Sequence, residues 1–191
     1  AISTSLKAGA IGLAIVMVFM IIMYAVPGIA ASLALAIYTT LVIATLYLFE
    51  ITLTLPGIAG IILGIGMAVD ANVIVFARVR EEIATGKSVQ TSMKIGFQKA
   101  MSAILDGNIT TLIASVVLMA LGSGTVKGFA YTLMIGIILS LFTAMVVTRY
   151  ILYSLYALGL KSEKLYGRAK ERKSIDFIGK KAVFFTISGI I

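Results

Sequence analysis

The chain has 191 residues, 60% of them hydrophobic, with a mean hydropathy of +1.09 and a formal net charge of +8. That is too apolar for a soluble domain, whose surface must be largely polar. The lack of Cys and His excludes disulfides, thiolate metal sites and imidazole catalysis. The crowding of the charges into two stretches speaks against a nucleic-acid surface.

A helix needs about 20 apolar residues to cross the hydrocarbon core. Five stretches meet that length: 8–26, 28–49, 56–77, 107–126 and 128–148; a sixth, 182–191, starts and stops at the last residue. The expected fold class is an all-α polytopic membrane protein with five complete transmembrane helices and the start of another. The missing initiator Met and the abrupt last run predict a piece of a longer protein.

Pro27-Gly28 predicts a tight turn between spans one and two, and Pro56 fits the first turn of span three. Along span three, Gly57, Gly60, Gly64, Ala68 and Ala71 fall within an arc of about 80° at 100° per residue. Such a stripe of small residues admits another helix closely, and span four is the expected neighbour. The same span carries Asp70 after an uncharged run, Ile51–Val69. A carboxylate near the bilayer centre costs roughly 2.5–3.5 kcal/mol on insertion scales. Two readings stand for it. Either it makes an interhelical hydrogen bond that fixes packing, or it takes up and releases a proton inside the bundle at about mid-depth, its pKa raised by desolvation. Asn72 is its polar partner or a packing residue.

Residues 78–105 are expected at the cytoplasmic side. Arg78, Arg80, Glu81 and Glu82 read as a solvated, charge-paired helix end. Val89, Met93, Gly96, Phe97, Ala100 and Met101 recur at helical spacing, which predicts a separate helix lying on the membrane surface. Span four then opens with LDGNITT, placing Asp106, Asn108, Thr110 and Thr111 at its cytoplasmic end. Asp106 is the N-cap there or, with the other three, the polar lining of a proton or sodium path to Asp70. Beyond span five, Tyr150, Tyr153 and Tyr156 suit an aromatic belt, and 151–181 reads as a basic cytoplasmic linker. Of the 16 Lys and Arg, all but Lys7 and Lys127 fall on the side of these segments, which is therefore expected to be cytoplasmic.

At this point a resemblance enters. "LTLPGIAGIILGIGMAVDANVIVFARVREE" resembles the fourth transmembrane helix of the SecD family, and the stretch from "GFQKAMSAILDGNITT" to "AMVVTR" is similar to the following helix pair. "LKAGAIGLAIVMVFMIIMYAVPGIAAS" resembles the family's second and third helices, and "SIDFIGKKAVFFTISGII" the start of SecF. The most specific motifs are GMAVDANV and LDGNITT. The resemblance implies half of a resistance–nodulation–division-type pseudo-repeat, whose two six-helix halves are parallel. It offers the corresponding helix of the SecF half as a second possible neighbour for the small-residue stripe.

The resemblance also implies a Sec accessory component in a bacterial or archaeal plasma membrane. That component uses the proton- or sodium-motive force to assist preprotein translocation, with Asp70 in ion conduction. The implied partners are the SecYEG channel, the SecF half or subunit, YajC, SecA, membrane lipid, and preprotein through an external domain that this chain lacks. No enzymatic activity, metal or cofactor beyond the coupling ion is expected. The rival readings are an exporter of lipids or small molecules from the same superfamily, and a structural subunit that conducts no ion.

Overall fold

The computed structural model describes residues 2–167. Its long helices are α1 (Ile2–Tyr24), α2 (Val26–Leu48), α3 (Leu55–Ala84), α4 (Val89–Leu121) and α5 (Thr125–Phe142), the last running through a π-helical turn, Thr143–Val147, into α6 (Thr148–Ala157). Counting α5–α6 as one, the five are long and apolar enough to cross a membrane. The predicted sixth span, 182–191, and the basic residues 168–181 lie outside the described residues.

The turn between α1 and α2 sits at Ala25, with φ 51°, two residues ahead of the expected Pro27. Gly28 belongs to the first turn of α2, and a side chain there would run into the Met20 carbonyl. The two helices thus fold back on each other almost without a loop. Thr54 caps α3 by accepting from the Gly57 N–H at 3.1 Å, with Pro56 behind it.

The stripe of small residues is buried, as its chemistry requires, but its neighbour is α5 rather than span four. Gly57, Gly60 and Gly64 meet Gly128, Thr132 and Gly136 in the same order, so the two helices run parallel. The reason is reciprocal: α5 carries small residues four apart on its own facing stripe, and small residues on both sides permit the closest approach. Tyr38 of α2 fills the remaining gap, its hydroxyl wedged between Gly64 and Gly136.

Residues 88–104 are not a separate surface helix. They form the first half of α4, one helix of 33 residues capped by Ser88, whose hydroxyl accepts from the Thr91 N–H at 3.3 Å. Met93, Phe97 and Ala100 are buried in the cluster that holds Phe76, Val79 and Ile83 of α3. Gly96 lets the Val79 backbone come close. The periodic apolar face therefore meets a helix, not lipid headgroups. Asp106 consequently lies in the interior of α4 and is no N-cap.

At about 1.5 Å per residue, the 30 residues of α3 span about 45 Å, beyond a hydrocarbon core of about 30 Å. The projecting end is locked to α4. Glu82 is 4% exposed and accepts from Lys87 and, at 2.6 Å, from Lys99. The Lys87 hydrogen bond, then that of Lys99, holds the Glu82 carboxyl below its ordinary value of 4.5. A depressed carboxyl pKa stabilises the fold above the unfolded-state value and ceases to do so as pH falls through the folded-state value. Glu82→Gln is therefore expected to speed hydrogen exchange in the α3–α4 turn at pH 7. The difference from wild type should shrink as pH falls below the ordinary value of 4.5 and vanish once pH has passed the lowered folded-state value. Equal exchange at pH 7, after correction for intrinsic rates, would show that the clamp holds nothing.

The charge-paired end is only partly as expected. Arg78 pairs with Glu81 at 2.7 Å on the surface. Arg80 instead turns inward, donating to the Met23 carbonyl at 2.7 Å and lying 4.4 Å from the Tyr24 ring centre, so it caps the end of α1. The three tyrosines after span five also part company. Tyr150 is exposed, while Tyr153 and Tyr156 pack on the core. Residues 158–167 are no free linker: Tyr166 is fully buried, and burial pushes its phenol up to about 12.

Candidate ion-relay face

Asp70 falls at the middle of α3, and the helix periodicity that buries Ala68, Ala71 and Asn72 leaves it outside. The expectation of a site inside the bundle does not hold for these helices. Asp70 is exposed, with no hydrogen bond or ion pair to any described residue. The physical reason lies on its own face. One turn earlier, Gly66 has open space where a side chain would stand. About two turns before Asp70, Ile62 and Leu63 of α3 are exposed apolar residues, and so are Ile109 and Ile113 of α4. The face is built for burial but is left uncovered by the described residues.

The polar residues of α4 divide between two environments. Val79 of α3 meets Gly96 of α4 in the antiparallel pair. Counting the same number of residues from that contact along each helix brings Asp70 level with Leu105, within about 1.5 Å of the level of Asp106. Asp106 is thus at the depth of Asp70, not at the membrane boundary, and is likewise exposed. Thr110 is exposed, its hydroxyl donating to the Asp106 carbonyl at 3.2 Å. Thr111, half-buried, donates to the Gly107 carbonyl at 3.2 Å. Asn108 is buried, its amide donating to the Ile104 carbonyl at 2.7 Å, while its side-chain oxygen has no partner. Asp70, Asp106 and Thr110 are therefore the candidates left exposed, whereas Asn108 and Asn72 are drawn inward.

Asn72 is no partner of Asp70. It donates to the Ala68 carbonyl at 3.0 Å and accepts from the Thr148 hydroxyl at 2.8 Å, fully buried. Thr148 begins α6 directly after the π-helical turn, where Thr143 bonds back to the Leu139 and Ser140 carbonyls. The turn and its tie to α3 escaped the sequence reading. A π turn leaves no mark in composition, and the bond joins residues 76 positions apart. Such turns are frequent at functional sites. No cluster of three or more His, Cys, Asp or Glu suited to a metal occurs among the described residues.

Comparison with known proteins agrees with this architecture. The sequence family described as the C-terminal part of the protein export membrane proteins SecD and SecF matches residues 1–157. SecD, a protein translocase subunit of Acidaminococcus fermentans, is 52% identical over 151 residues, covering 79% of this chain and 36% of that protein. SecD of Synechocystis is 54% identical over 151 residues, covering 79% and 32%. The chain thus spans about a third of these relatives' length. The crystal structure of SecDF from Thermus thermophilus, a translocon-associated membrane protein, superposes with a TM-score of 0.83 at 31% identity, over 100% of this chain and 26% of that one. With its five apolar helices, this multi-pass membrane chain belongs to the SecD/SecF family of protein export membrane proteins, within the resistance–nodulation–division superfamily.

Proposed function

We propose that this chain is the membrane-embedded part of a SecD-type translocase subunit, and that Asp70 is the ion-carrying group coupling the proton- or sodium-motive force to preprotein export. The observation that carries the reading is an unpaired carboxylate at the middle of a 30-residue apolar helix, on a face of exposed apolar and glycine residues. A helix bundle retains such a group at a cost of several kcal/mol only where it does something. Asp106 at the same depth supplies a second titratable group for the path, and Thr110 a hydroxyl beside it. A second half of SecF type laid against this face would bury Asp70 and complete the relay. The partners that fit are the SecYEG channel, with SecA and YajC, and preprotein held by an external domain.

The test is ion flux into vesicles holding the full-length protein with its second half. Flux should follow an imposed proton or sodium gradient and be lost in Asp70→Asn. Flux in neither gradient would remove the proposal.

Orientation is tested separately. The chain has no Cys of its own, so single cysteines at Lys94 and Lys127 report without background. The charge asymmetry predicts cytoplasmic labelling at 94 and external labelling at 127. The reverse pattern would invert the proposed path.

A further inference from the structure

We infer that the end of the bundle away from the basic segments carries a binding site for a zwitterionic aminophospholipid, its headgroup held by Glu50 and Lys127 over an apolar crevice. Two cavities meet at this end. One, of about 580 Å³, lies between α1, α2 and α3 and is walled by Leu13, Ile43, Leu46, Ile58, Ile62 and Ile65. From Ile58 to Ile65 it follows α3 for a rise of about 10 Å, most of one leaflet of a core about 30 Å thick. The other, of about 640 Å³, lies between the α2–α3 loop and the start of α5 and is lined by Glu50, Thr52, Lys127 and Tyr131. Glu50 and Ile51 line both, so the headgroup end adjoins the crevice. Both volumes fall in the range of about 300–1,000 Å³ usual for small-molecule sites.

The charges choose the ligand. Glu50 and Lys127 line one cavity, yet neither forms an ion pair with the other or with any described residue. An anionic headgroup would satisfy Lys127 and be repelled by Glu50. A phosphate joined to an ammonium satisfies both. A primary ammonium brings three N–H donors to the Glu50 carboxylate, whereas a trimethylammonium brings none. Tyr131 adds a phenol at the depth where such residues meet headgroups. A peptide strand is the poorer occupant of the crevice, because its backbone N–H and C=O groups would find no partners among isoleucines and leucines.

The backbone fits this placement. Glu50 has φ 51° and closes α2, with the Ile51 N–H bonded to the Leu46 carbonyl at 3.0 Å. That left-handed position after a helix is ordinarily given to glycine. It sets Glu50 at the turn where both cavities meet.

Native mass spectrometry of the full-length protein, titrated with phosphatidylethanolamine, phosphatidylglycerol and phosphatidylcholine, tests the site. Phosphatidylethanolamine should bind first. Glu50→Gln, an exposed and isosteric change, should weaken it about tenfold, as expected for a lost charge-assisted hydrogen bond. Lys127→Gln should weaken all three, since each carries a phosphate, and filling the crevice with Ile62→Trp should weaken all three as well. Equal binding of the three headgroups would overturn the proposal. So would phosphatidylethanolamine binding indifferent to Glu50→Gln, or a photo-crosslinking group at position 62 that captures another segment of the protein instead of lipid.

Discussion

Asp70→Asn in the full-length protein is expected to insert and fold as wild type does and to lose ion-driven export. The substitution keeps shape and hydrogen-bonding capacity and removes only the change of charge. One elementary charge crossing 100 mV supplies about 2.3 kcal/mol, a bias of roughly 40-fold, and that is the size of the stimulation to be lost. Asp70→Glu should keep part of it, since a titrating group remains near the same place. A packing role predicts the opposite order, with Asn as good as Asp and Glu worse through overpacking. The geometry sharpens the contrast. Asp70 has no described partner, so within these helices no hydrogen bond exists for Asn to preserve. Export rates of the two variants at equal expression decide between the readings.

The spans were legible because hydrocarbon demands length and apolarity, and both are local properties of a sequence. Their ends were not. Helix α4 runs through the charged boundary because Met93, Phe97 and Ala100 bury against α3. An apolar stripe with helical period looks the same whether it faces lipid or a neighbouring helix. The small-residue stripe on α3 was readable as a contact surface, but its partner depended on a matching stripe on α5: Gly128, Thr132 and Gly136. That signal was present, four residues apart, and went unread. Arg80 looked solvated because its target, the Met23 carbonyl, lies 57 positions away. Asp70 was singled out by the physics of charge in hydrocarbon, which says that an acid needs shelter. It does not say which chain provides it, and these helices do not.

A large stability effect is expected at Gly64, where α2, α3 and α5 come together. A Cβ there runs into the Tyr38 hydroxyl and already stands in contact with the Gly136 Cα at 3.4 Å, so the further atoms of a larger side chain have backbone in their way. Gly64→Leu should therefore separate α3 from α5 and lower stability by about 1–3 kcal/mol or more, the cost of overpacking a close-packed site. Gly64→Ala is the finer probe, because its single methyl meets mainly the phenol. The Tyr38 hydroxyl is buried and without a partner, so Tyr38→Phe sacrifices no hydrogen bond and removes the atom in the way. The double variant should be more stable than the sum of the single changes allows, and unfolding in mixed micelles measures that coupling. Additive effects would mean that the hydroxyl does not set the spacing. Gly66, two residues on, provides the opposite case. No described residue would come within 4 Å of a Cβ there, so Gly66→Leu should leave these helices intact. If a second half covers the face of Asp70, the same substitution should weaken its association with this chain in the full-length assembly. Normal assembly of Gly66→Leu would mean that the face stays open to lipid, and that the shelter for Asp70 comes from elsewhere.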